Sequence, residues 1–66
     1  MPITSREMIN YLVDNGFRIV NQTGSHVKLK NKETGKYTTV PFHRKDLAKG
    51  LEHSILKQAG LKKGGQ

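Results

Sequence analysis

Five consecutive residues constrain this chain more than any other segment. His26-Val27-Lys28-Leu29-Lys30 alternates strictly between polar and apolar side chains. Successive side chains of a strand point to opposite faces. The alternation therefore predicts a strand that buries Val27 and Leu29 and presents His26, Lys28 and Lys30 together on the other side. Such a strand suits a sheet with one covered face and one face open to solvent. The open face then carries a titratable group in a row of cations.

The rest of the chain supplies the cover. Thr4-Ser5-Arg6-Glu7 has the spacing of a capping box, with Thr4 as N-cap and Glu7 at the third helical position. Ile3 and Met8 are placed for a hydrophobic staple, and Met8, Ile9, Leu12 and Val13 follow on one helical face. Gly16, free to adopt a left-handed conformation, ends the helix. Phe17 to Asn21 reads as a first strand with Phe17 and Ile19 on one face, and Gln22 to Ser25 as a turn. His26 to Lys30 is the second strand. After a polar loop ending at Gly35, Lys36 to Val40 is the third, stopped by Pro41, which cannot donate to a ladder. The stretch from Phe42 to Lys49 is irregular, with a helical turn near Asp46 and Phe42 assigned to the core. A second helix runs to Ala59 with Leu47, Leu51, Ile55 and Ala59 four apart and Leu56 beside them; Gly60 stops it, and Leu61 folds back onto its last turn.

The expected fold is therefore α+β, a two-layer sandwich of order α-β-β-β-α in which a three-stranded antiparallel sheet packs under two helices. A chain of 66 residues makes one domain, because a domain of this size buries only about 60% of the surface its unfolded form exposes. Residues 1–61 are assigned to that domain and 62–66 to a flexible tail.

Composition narrows the partners. Twelve Lys and Arg oppose five Asp and Glu, for a formal charge of +7. The excess is regional: Arg18 to Lys49 holds eight cations and only Glu33 and Asp46 against them, whereas residues 6–14 carry a net −1. Such a bias favours nucleic acid, an anionic membrane or an acidic protein. No apolar run is long enough to span a membrane, and the N-terminus lacks the apolar stretch of a signal peptide. With no cysteine there is neither a disulfide framework nor thiolate chemistry. His26, His43 and His53 lack the close pair spacing of a zinc site, so no metal and no cofactor is expected. These features suggest a cytoplasmic protein.

On residue pattern alone, His26 is either an exposed strand residue or an acid/base group beside phosphate-binding cations. Gly24 is either a turn glycine or a gap that lets a phosphate reach the backbone. Ser25 reads equally as a turn residue or a phosphate hydrogen-bond donor. His43 is a second acid/base or a local hydrogen-bonding group, and His53 is a solvated helix residue. Tyr37 and Phe42 are aromatics of the kind that stack on bases, with Tyr37 open to either role.

Gly24-Ser25-His26, then Val40-Pro41-Phe42-His43, Leu47, Gly50-Leu51 and Ile55-Leu56-Lys57-Gln58-Ala59-Gly60, in this order and spacing, resemble the HicA toxins of bacterial toxin–antitoxin systems. The resemblance runs from the first helix to Leu61. It implies a fold like the double-stranded-RNA-binding domain and an endoribonuclease that cleaves mRNA and is silenced by a HicB-type antitoxin. It implies that His26 is catalytic and that the antitoxin covers it. Gly24, Ser25, Lys28, Lys30, His43, Arg44 and Lys45 are then the expected RNA contacts, although Arg44-Lys45-Asp46 is more charged than the family's usual pattern. RNA brings its own nucleophile, the 2′-hydroxyl. Cleavage then needs a base, an acid and cations, for which histidine suits the proton transfers and lysine the developing phosphate charge. The competing readings are a double-stranded-RNA-binding module that does not cut, and an adaptor that binds only acidic proteins.

Overall fold

A computed structural model describes residues 3–42 and 47–61. The elements, in chain order, are α1 (Ser5–Asp14), β1 (Phe17–Thr23), β2 (His26–Asn31), β3 (Tyr37–Pro41) and α2 (Lys49–Ala59). The strands form one antiparallel sheet in the order β1-β2-β3. The α+β order expected from the sequence is the order found.

Local chemistry explains the helix ends. The Thr4 hydroxyl accepts from the Glu7 backbone N–H at 3.1 Å, and the Glu7 carboxylate accepts from the Thr4 N–H at 2.9 Å, which completes the capping box. Gly16 takes φ +94° to turn the chain into β1. At the far end Gly60 is left-handed and the Leu61 N–H donates to the Leu56 carbonyl at 2.9 Å. Leu61 thereby packs back on the core, the 6→1 closure of a Schellman motif.

The core lies between the helices and one face of the sheet. Met8 and Leu12 of α1, Phe17, Val27, Leu29 and Val40 of the strands, and Leu47, Ile55, Leu56 and Ala59 form a single buried cluster. Polar ties lock the layers in register. The Ser5 hydroxyl donates to the Pro41 carbonyl at 2.7 Å, joining the start of α1 to the end of β3. Thr38, buried, has its hydroxyl 3.2 Å from both the Ile55 carbonyl and the Gln58 side-chain oxygen, joining β3 to α2. The Leu47 N–H donates to the Ile3 carbonyl at 2.8 Å, which brings the approach to α2 beside the approach to α1. Asn31 organises the β2–β3 loop: its side-chain oxygen accepts from the Glu33 and Thr34 N–H groups, while its amide nitrogen donates to the Asn15 carbonyl.

Three expectations are corrected. First, β1 runs on to Thr23 and the turn shrinks to Gly24-Ser25, because Thr23 pairs with His26 in the ladder; β3 likewise runs from Tyr37 to Pro41. Second, Leu51 is 39% exposed, and the buried stripe of α2 is Glu52, Ile55, Leu56 and Ala59. This i, i+3, i+4, i+7 face leaves Leu51 at its rim. Third, Phe42 is 43% exposed, since it follows the last paired residue of β3 and leaves the covered area of the sheet. Phe17 and Ile19 share the covered face, as expected, and Ile19 is 53% exposed there. It lies on the edge strand, where it lines an open groove with Ile9, Val27 and Phe42.

Candidate nucleic-acid interface

The open face is built by parity and register. Residues directly opposite in an antiparallel ladder share a face, so Val27 and Leu29 pointing into the core places His26, Lys28 and Lys30 outward. The pairs then generate three rows across the sheet. Thr23, His26 and Pro41 form the first, Asn21, Lys28 and Thr39 the second, and Arg18, Lys30 and Tyr37 the third. Adjacent rows are two residues apart, roughly 7 Å at the rise of an extended strand.

A bulge at Val20 sets the outer column. The register slips between Ile19 and Asn21, so Asn21 rather than Val20 stands opposite Lys28. An unbulged β1 would place the branched apolar side chain of Val20 in the middle row. The extra residue instead puts Asn21 and Thr23 on the open face, beside Lys28 and His26. The bulge thus keeps Val20 off the open face, whose second and third rows carry the cations Lys28, Arg18 and Lys30.

The turn before His26 is short and fixed. Gly24 has φ +58° and Ser25 does not have positive φ, the pattern of a two-residue type II′ hairpin with glycine first. A Cβ at Gly24 would meet nothing within 4 Å, so the glycine serves the backbone conformation rather than close packing. The Ser25 carbonyl accepts from the Phe42 N–H, which binds the turn to the end of β3. His26 therefore leaves a hairpin held on both sides by ladder partners, Thr23 and Pro41. Its side chain is exposed, and among the described residues no hydrogen bond or ion pair engages it.

Cations line the rows beyond His26. The Lys28 ammonium lies 4.6 Å from the centroid of the Tyr37 ring and that of Lys30 lies 5.3 Å from it. Lys30 is half-buried between Arg18 and Tyr37. The structure brings Gly24, Ser25, His26, Lys28 and Lys30 together on one surface, as their sequence positions suggested. His43, Arg44 and Lys45, the other expected RNA contacts, lie outside the described residues, as do Asp46 and residues 62–66. His53 is exposed on α2.

Arg18, Asn21, Thr23 and Thr39 also belong to this face and were not singled out as site residues. Their signal is the strand pairing, which exists only once β1 and β3 are registered on β2. Among the described residues no group of histidines and carboxylates is arranged to hold a metal ion, and no helix is long and apolar enough to cross a membrane.

The surface is thus a histidine at the head of two cation-bearing rows on an αβββα fold. Residues 5–61 match the family model described as HicA toxin of bacterial toxin–antitoxin. The chain belongs to the HicA toxin family. The match spans every element from α1 to Leu61, the sheet included, so the open face is a surface of a HicA toxin. Membership makes the chain the toxin component of a toxin–antitoxin system and implies an antitoxin protein as partner. Comparison with curated proteins yields no match.

Proposed function

We propose that this HicA toxin is a metal-independent endoribonuclease that cleaves mRNA on the open face of its sheet, with His26 as its catalytic acid/base group. The observation that carries this reading is the position of His26: exposed, at the end of a fixed two-residue turn, and first in a surface whose next rows hold Lys28, Lys30 and Arg18. HicA toxins in general are ribonucleases, and the family match covers this segment.

The chemistry uses what the face offers. The 2′-oxygen attacks the adjacent phosphorus and loses its proton to a base; the bond from phosphorus to the 5′-oxygen breaks, and that oxygen takes a proton from an acid. The products are a 2′,3′-cyclic phosphate and a free 5′-hydroxyl. Imidazole exchanges protons in the neutral range and serves either transfer. Lys28 stabilises the charge that builds on the phosphate oxygens, while Lys30 and Arg18 hold the neighbouring backbone. Gly24 and Ser25 let a phosphate approach the turn, since no side chain fills the space around Gly24. DNA lacks the attacking hydroxyl and is left intact.

The partner is a HicB-type antitoxin that covers His26 and the cations around it. A basic face of this kind favours an acidic inhibitor surface and fast, electrostatically steered association. Toxin, mRNA and antitoxin then meet in the cytoplasm.

The test is incubation of the purified chain with single-stranded RNA in excess EDTA. The proposal expects cleavage that survives the chelator, yields cyclic-phosphate ends and is lost in His26→Ala. Retention of RNA without cleavage by the wild-type chain identifies a non-catalytic RNA-binding module instead.

A further inference from the structure

The third row of the open face holds an aromatic that the proton chemistry does not use. Tyr37 is 49% exposed, sits opposite Lys30, and has the Lys28 and Lys30 ammoniums 4.6 and 5.3 Å from its ring centroid. The other tyrosine, Tyr11, is partly buried against the core. A half-open ring among Arg18, Lys28 and Lys30 combines the two elements of single-strand recognition, a π face for a base and cations for the phosphates on either side of it.

We propose that Tyr37 is a nucleobase-stacking platform that selects single-stranded RNA and fixes its position relative to His26. This rests on the reading of His26 as the cleavage site. The two residues lie in the first and third rows, four residues apart along β2, which is about 13 Å of extended strand. A strand of RNA whose scissile phosphate is at His26 therefore crosses Lys28 and lays a base a few nucleotides away on Tyr37. In the RNA-free chain the two ammoniums lie over the ring in cation–π contact, and they leave it when a base stacks there. They then meet the phosphates on either side of the stacked base. Bases in a duplex are already stacked on each other and offer no free face to the ring, so the platform discriminates against paired RNA.

The experiment measures binding in a His26→Ala background, which keeps the RNA intact. Three probes are titrated: a single-stranded oligoribonucleotide, the same strand with abasic sites at every position, and a duplex. Tyr37→Leu is compared with Tyr37→Phe and Tyr37→Trp, each checked by thermal melting. Removal of one stacked base is expected to weaken binding of the intact single strand about five- to a hundred-fold. Tyr37→Leu should show that loss, while its binding of the abasic strand and its salt dependence stay unchanged. Tyr37→Phe and Tyr37→Trp should retain the affinity, and the Trp variant's fluorescence should be quenched by the intact strand alone. Equal affinity in Tyr37→Leu, or an equal loss on intact, abasic and duplex probes, overturns the platform. Cleavage assays on the His26-containing chain report separately. Cleavage without a Tyr37 effect removes only the platform. Base-dependent binding without cleavage removes only the ribonuclease reading and keeps the stacking role. Failure to bind any RNA removes both.

Discussion

The two faces of β2 (His26–Asn31) come from one run of residues and do opposite work. Val27 and Leu29 face the helices and are buried, Leu29 completely, while His26, Lys28 and Lys30 face outward. The covered face is held by packing, where a single lost methylene is felt. The open face carries mostly polar and charged side chains, where substitutions usually cost the fold little. A chain of this size thus separates stability from function by residue parity alone. The separation predicts that substitutions one position apart act through different observables.

The largest effect on stability belongs to the covered face. Leu29→Ala should destabilise the chain by about 2–5 kcal/mol, read by urea denaturation. For a domain this small that is a large part of total stability, so any lost RNA cleavage should track the unfolded fraction. A Leu29→Ala chain that stays folded yet loses activity would break the division of labour. Asn31→Ala comes next. It leaves the Glu33, Thr34 and Asn15 backbone groups without their side-chain partners and should cost about 1–3 kcal/mol.

Leu51 sharpens the comparison within the apolar residues themselves. Because it sits at the rim of the α2 (Lys49–Ala59) stripe and is well exposed, Leu51→Ala should cost about 1 kcal/mol or less, clearly below Leu29→Ala in the same denaturation series. The smallest effect on stability belongs to Lys28→Ala, expected within about 0.5 kcal/mol of wild type. Its signature is electrostatic. Loss of one phosphate contact should reduce the slope of log affinity against log salt by about 0.7 for a single strand. An unchanged slope would show that Lys28 does not meet phosphate.

Most of the architecture was legible because its signals are local. The capping box at Thr4 and Glu7, the glycines at both helix ends and the alternation of β2 each dictate their own geometry within a few residues. Parity alone placed His26, Lys28 and Lys30 on one face. The errors fall where the outcome depends on a neighbour in space. Leu51 and Ile55 sit four apart and look equivalent, but the stripe that meets β3 (Tyr37–Pro41) is centred on Ile55 and Leu56, with Glu52 beneath and Leu51 aside. Ile19 keeps the face read from the sequence, and only its exposure depends on lying in an edge strand. The bulge at Val20 carries no sequence signal short of the β1 (Phe17–Thr23) and β2 pairing itself, yet it decides that Asn21 and Thr23 join the open face. Tyr37 became informative in the same way, through the cross-strand approach of two lysines.

The most direct measurement is the rate at which His26→Ala cleaves single-stranded RNA in EDTA, taken with its melting temperature and its affinity for that RNA. A loss of about 10²- to 10⁴-fold in rate, with melting and binding both unchanged, is the predicted result. Cleavage at the wild-type rate would contradict the account, and so would a loss that only follows a fall in folded protein.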